Sequence, residues 1–158
     1  MTMIQIDIVK SDMTANAESL LWKYGVTTEN TGAKQANNVK ADSASKPVDN
    51  RLLSNSMVKR AAKAADLMHD FGATMTETQT ADTPPVPIIR YTVSVSSRWL
   101  GTETMLKEAL EKYILDGMMT DYLNVTAPDE AQMFSSQLAE DANTIKNIIY
   151  SLGKPAIA

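Results

Sequence analysis

The sequence predicts an α+β fold that is predominantly helical, with a C-terminal antiparallel helix pair, a β-hairpin and a short N-terminal strand. Three observations carry that expectation. Apolar residues recur at steps of three and four through four segments, which is the spacing of a helix face. Three other segments alternate with period two, the spacing of a half-buried strand. The last two helical stripes are separated by only Asn124, Val125 and Thr126, a connection that makes them antiparallel neighbours.

The chain opens with Ile4, Ile6 and Ile8 alternating with Gln5 and Asp7, so residues 3–9 read as a strand. Ser11 or Asp12 then caps a helix with Met13, Ala17, Leu20, Leu21 and Tyr24 on one stripe, and Gly25 stands where a terminating glycine belongs. Residues 27–50 change character. In that polar tract two residues, Val39 and Val48, can anchor in a core, so it reads either as a mobile linker or as an arm ordered by a neighbouring subunit.

Asp49 or Asn50 opens a second helix expected to run to Phe71, with Leu53, Met57, Ala61, Ala64 and Met68 on its apolar stripe and Gly72 beyond. Lys59, Arg60 and Lys63 cluster in its middle and read as a solvated face, since no aromatics interleave them for nucleic-acid stacking. Residues 73–80 place threonine at every even position, and residues 88–97 place Ile89, Tyr91, Val93 and Val95 on one face. Pro84, Pro85 and Pro87 interrupt the two runs and stiffen the connection, which gives an antiparallel hairpin. Its outer face sets Thr74, Thr76, Thr78 and Thr80 opposite Thr92, Ser94 and Ser96, with two strand edges left to cover.

The third helix starts near Thr102 with Glu103 in its first turn, and carries Leu106, Leu110, Tyr113, Ile114, Gly117, Met118 and Tyr122. For the fourth, Thr126 reads as the cap, with Pro128 in the first turn and Asp129 three residues after the cap. Phe134, Leu138, Ala142, Ile145, Ile149 and Leu152 form its stripe, and Gly153 and Pro155 stop it.

With 158 residues the chain is expected to be a single domain spanning 1–158, with the 27–50 tract as an arm or long loop. The absence of cysteine excludes disulfides and thiolate chemistry, and one histidine, His69, excludes a histidine-rich metal site. A net charge of −4 gives no bulk attraction to nucleic acid. No apolar run reaches 18 residues and no basic stretch precedes an apolar one at the start, so neither a membrane span nor a secretory leader is expected. Ten methionines against two Phe and two Trp supply much of the apolar volume, as core filler or as adaptable contact surface.

No phosphate-binding glycine loop, nucleophile elbow or zinc-protease motif is present. His69 has Asp66 three residues before it as a candidate partner, while Asp70 as a helical neighbour would point about 100° away. Glu108 and Lys112 have the spacing of a surface ion pair, Asp116 and Asp121 lie about one turn apart without making a catalytic pair, and Asp129, Glu130, Glu140 and Asp141 read as surface carboxylates. No catalytic residue, metal ligand or cofactor is assigned.

The order of elements, with Thr31-Gly32-Ala33-Lys34 in the polar tract and Lys154-Pro155 after the final helix, resembles small structural proteins from the virion-morphogenesis modules of phages and prophages of Bacteroidales bacteria. That resemblance implies a non-enzymatic subunit of a homo-oligomeric ring at the head–tail junction (neck or connector) or tail. It would contact portal, connector or tail components, be made in the host cytoplasm and be located in the virion. Thr74, Thr76, Thr78, Pro84, Pro85, Arg90 and Thr92 are the candidate assembly surface, chosen for the hydroxyl-rich hairpin face and its stiff tip. The alternative is a soluble helical protein-binding module or regulator that grips a partner helix along Phe134–Leu152; a third reading is an enzyme using carboxylates or His69 in a site assembled across subunits.

Overall fold

Alternation of β-branched residues at the start of the chain gives β1 (Thr2–Val9), which leads directly into α1 (Lys10–Asn30). The computed structural model describes residues 1–30 and 50–152. After these come α2 (Asn50–Leu67), a 3-10 turn at His69–Phe71, β2 (Thr74–Gln79), β3 (Pro87–Val95), α3 (Glu103–Thr126) and α4 (Pro128–Ile149). The fold is α+β and mostly helical, with an antiparallel helix pair at its C-terminal end.

The three strands form one antiparallel sheet in the order β1-β3-β2. The hairpin is therefore not a free two-stranded ribbon. β1 takes one edge of β3, pairing Ile4 with Val93, Ile6 with Tyr91 and Ile8 with Ile89. Those six side chains and Val95 are buried on one face, where they join Met13, Leu53, Met57, Ala61, Leu106, Leu110, Ile114 and Met118 from the helices. Tyr91 is fully buried there and its hydroxyl donates to the carbonyl of Ala61 at 2.7 Å, which satisfies the one polar atom of that side chain.

Several boundaries differ from the sequence expectation. The helix α1 passes through Gly25 and ends at Asn30; a glycine inside a helix is disfavoured by only about 1 kcal/mol against alanine, too little to end a helix of this length. Of the expected arm at 27–50, residues 27–30 belong to α1 and residue 50 opens α2, while residues 31–49 lie outside the described residues. So do the expected stops at Gly153 and Pro155. The α2 helix ends at Leu67 and a 3-10 turn carries the chain to Gly72, whose φ of 64° is the left-handed conformation expected of it.

The junction of the C-terminal pair also shifts. Thr126 is the last residue of α3, and its hydroxyl donates back to the carbonyl of Tyr122 at 3.3 Å rather than capping α4. Ala127 alone joins the two helices, at φ −153° and ψ 75°. The ring of Pro128 disfavours helical geometry in the residue before it, so the break falls on Ala127. At the other end, α3 starts where the sequence reading puts it, near Thr102, and the Thr102 hydroxyl caps it by accepting from the Met105 amide at 3.1 Å.

Candidate functional site

The pleat of the sheet sorts the strand residues into two sets. Ile4, Ile6, Ile8, Ile89, Tyr91, Val93 and Val95 face the helices, so Met3, Gln5, Asp7, Arg90, Thr92, Ser94, Thr74, Thr76 and Thr78 face the other way. Five of the seven candidate surface residues, Thr74, Thr76, Thr78, Arg90 and Thr92, thus share the outer face. Pro84 and Pro85 stand apart from them at the exposed tip of the hairpin, where the Thr83–Pro84 peptide is cis.

The cross-strand pairing is not threonine against hydroxyl throughout. Thr74 pairs with Thr92 as expected, but Thr76 lies opposite Arg90 and Thr78 opposite Ile88, while Ser94 lies opposite Met3. Thr80 is spent on closing the loop: its amide donates to the Val86 carbonyl at 2.9 Å and its hydroxyl accepts from the Val86 amide at 3.0 Å. This closure sets the register of the hairpin.

Arg90 on this face is held by Asp7, its cross-strand neighbour in β1. Its Nε lies 2.9 Å from Asp7 Oδ1 and its Nη2 3.2 Å from Oδ2, a two-pronged pair. The Arg90 hydrogen bond holds the Asp7 carboxyl below its usual range. Nothing in the strand alternation marked Asp7 as the partner; only the β1–β3 register does. The outer face therefore presents a neutralised ion pair, and farther along β1, opposite Ser94, Met3 is 67% exposed. Among the described residues β1 and β2 are each paired along one side only, so each offers an open edge.

Three polar clusters lie elsewhere. Arg60 is buried between α2 and α3, contrary to the solvated face expected of it. It binds Asp121 through Nε at 3.0 Å and Nη2 at 2.6 Å, and Ser56 donates to the same carboxylate at 2.5 Å. Burial pushes Asp121 up, but the hydrogen bonds from Arg60 and Ser56 outweigh it and hold the carboxyl below its usual range.

Asp116 and Asp141 are also buried, at 6% and 5% exposure, and face each other across the α3–α4 seam. Lys112 does not pair with Glu108; its ammonium reaches Asp116 at 2.9 Å and Asp141 at 3.0 Å. Asp141 occupies a position that reads from the sequence as surface, and the sequence reading sets Asp116 only against Asp121, so their meeting across the seam became visible only from the packing of the two helices. In the third cluster His69 is exposed, with Nδ1 3.6 Å from Asp70 Oδ1, because these residues lie in a 3-10 turn and not in an α-helix. Asp70 accepts from the Tyr150 hydroxyl, and the Tyr150 ring meets Phe71 edge-on at 4.8 Å.

Along the α4 stripe Phe134, Ile145 and Ile149 are buried in the core and Leu138 and Ala142 are partly buried against it, while Leu152 is 46% exposed. Among the described residues no group of three or more His, Asp or Glu is placed to hold a metal ion, and no helix is long and apolar enough to cross a membrane. No protein-family model, curated protein or solved structure matches the chain.

Proposed function

We propose that this chain acts through assembly and not through chemistry, as a non-enzymatic structural subunit of a homo-oligomeric ring. The resemblance drawn from element order suggests the setting: the neck, connector or tail of a phage virion, against portal, connector or tail components. The observation that carries the reading is the placement of Thr74, Thr76, Thr78, Arg90 and Thr92 together on the outer sheet face, between two open strand edges. An edge strand is a row of unmatched backbone donors and acceptors, and a second copy can complete it. Pairing the β2 edge of one copy with the β1 edge of the next is a head-to-tail contact, which closes into a ring when the rotation permits.

Light scattering coupled to size-exclusion chromatography tests it. The full chain should elute as one discrete oligomer. Replacing Thr76 and Thr78 by Lys on the β2 strand should yield a monomer with unchanged circular dichroism. A wild-type chain that stays monomeric across the accessible concentration range overturns the reading, as does an oligomer indifferent to the two lysines.

A further inference from the structure

The seam between α3 and α4 holds two buried carboxylates and one ammonium. Lys112 lies one turn before Asp116 on α3 and bridges it to Asp141 on α4, with Gln137 Oε1 3.4 Å from the same nitrogen. Oδ2 of Asp141 is buried with no hydrogen-bond partner. One positive charge cannot neutralise two carboxylates, and an excess charge in a water-poor seam is costly unless a proton takes it up.

We infer that Lys112, Asp116 and Asp141 form a one-proton latch: the two carboxylates hold a single proton between the helices, and its loss loosens the α3–α4 pair. Several other charged groups packed around α3 are bound elsewhere, and Asp66 of α2 acts on Tyr113. From α2, Arg60 packs against Gly117 but binds Asp121, with Lys59 3.9 Å from that same carboxylate. Tyr113, on α3 itself, faces Arg60. From β1, Asp7 is on the opposite face of the sheet and bound to Arg90, and from α1 Lys10 is bound to Glu77. Lys112 is left as the cation of the latch, and its side chain is 55% exposed, so its compensation is partial.

Burial, aided by the facing Asp141 carboxyl, pushes the Asp116 carboxyl up to about 7, against 3.8 for a free aspartate. The folded chain then binds more protons than the unfolded chain between these two values. Its stability is full near the lower value, falls as pH rises through the window, and levels off above the upper value.

Urea unfolding of the full chain at pH 5, 6, 7 and 8 reads this directly. The unfolding equilibrium constant should rise by about tenfold to a hundredfold from pH 5 to pH 8, since a carboxyl that binds its proton ten times more tightly in the folded chain changes that constant by about ten. Asp116→Asn, which replaces the protonated acid by a neutral donor, should remove the slope and keep the acid-side stability at pH 8. A flat wild-type profile, or an Asp116→Asn chain with the wild-type slope, overturns the latch. Should that variant not fold, carbon NMR of the wild-type carboxyl groups decides. Asp116 titrating near neutrality supports the latch, and Asp116 titrating near pH 4 overturns it.

Discussion

Gly117 lets Arg60 pass between α2 and α3. A Cβ at position 117 would fall 2.4 Å from Arg60 Cγ and 2.5 Å from Cδ, so no larger residue fits while the arginine keeps its course. The guanidinium cannot swing aside freely, because Asp121 holds it at both Nε and Nη2. Helix packing and ion pairing thus depend on one missing methyl group.

Gly117→Ala should therefore destabilise the chain. Alanine gains about 1 kcal/mol in intrinsic helix preference. Overpacking of a filled interior costs about 1–3 kcal/mol, and here it also threatens the Arg60–Asp121 pair, so the loss wins. Denaturant titration checks the sign: a variant more stable than wild type would show that Arg60 has another path.

The two threonines at the ends of α3 should behave oppositely. Thr102→Ala removes an acceptor for the Met105 amide and should cost about 1 kcal/mol. Thr126→Ala removes only a bond back to Tyr122 and should leave the melting curve within about 0.5 kcal/mol of wild type. Equal losses at both sites would restore Thr126 as a cap.

Core truncations along α4 should be graded by burial. Ile145 is fully buried, and Ile145→Ala should cost about 2–5 kcal/mol. Leu138 packs on the rim of the same core, half-buried, so Leu138→Ala should cost less, about 1–2 kcal/mol. Thermal unfolding of the two variants side by side tests the order.

Acid should weaken the fold in a window separate from the Asp116 effect. The Asp121 carboxyl is held below its unfolded value of 3.8 by its hydrogen bonds, so its contribution is present above that value and lost as pH falls through the folded one. Asp121→Asn should cost about 2 kcal/mol at pH 7 by leaving Arg60 without a charged partner. The gap to wild type should narrow below about pH 4, while the fall in stability between pH 5 and pH 8 persists. Urea midpoints of both chains from pH 2.5 to pH 8 show whether the two windows separate.

Much of the outer sheet face was legible in advance. Period-two alternation placed Ile89, Tyr91, Val93 and Val95 on the face that is buried and Thr92 on the other, because alternation is a local property of the backbone. The partner of Arg90 was not legible, since Asp7 lies 83 residues away and is joined to it only by strand register. A similar limit hid Arg60, Asp116 and Asp141: a charge on a helix is read as solvated unless the packing of a second helix over it is known.

The sequence by itself determined the kinds of element and their order, the start of α3 near Thr102, the left-handed Gly72 and the inward face of each strand. Each follows from interactions within a few residues, where side-chain spacing, capping and backbone freedom suffice. Tertiary structure decided that β1 covers one edge of the hairpin, that Arg60 lies between helices, and that Asp116 and Asp141 meet at one lysine. Those outcomes join groups 29, 61 and 83 positions apart, through packing and charge pairing in a shared interior that no local pattern encodes.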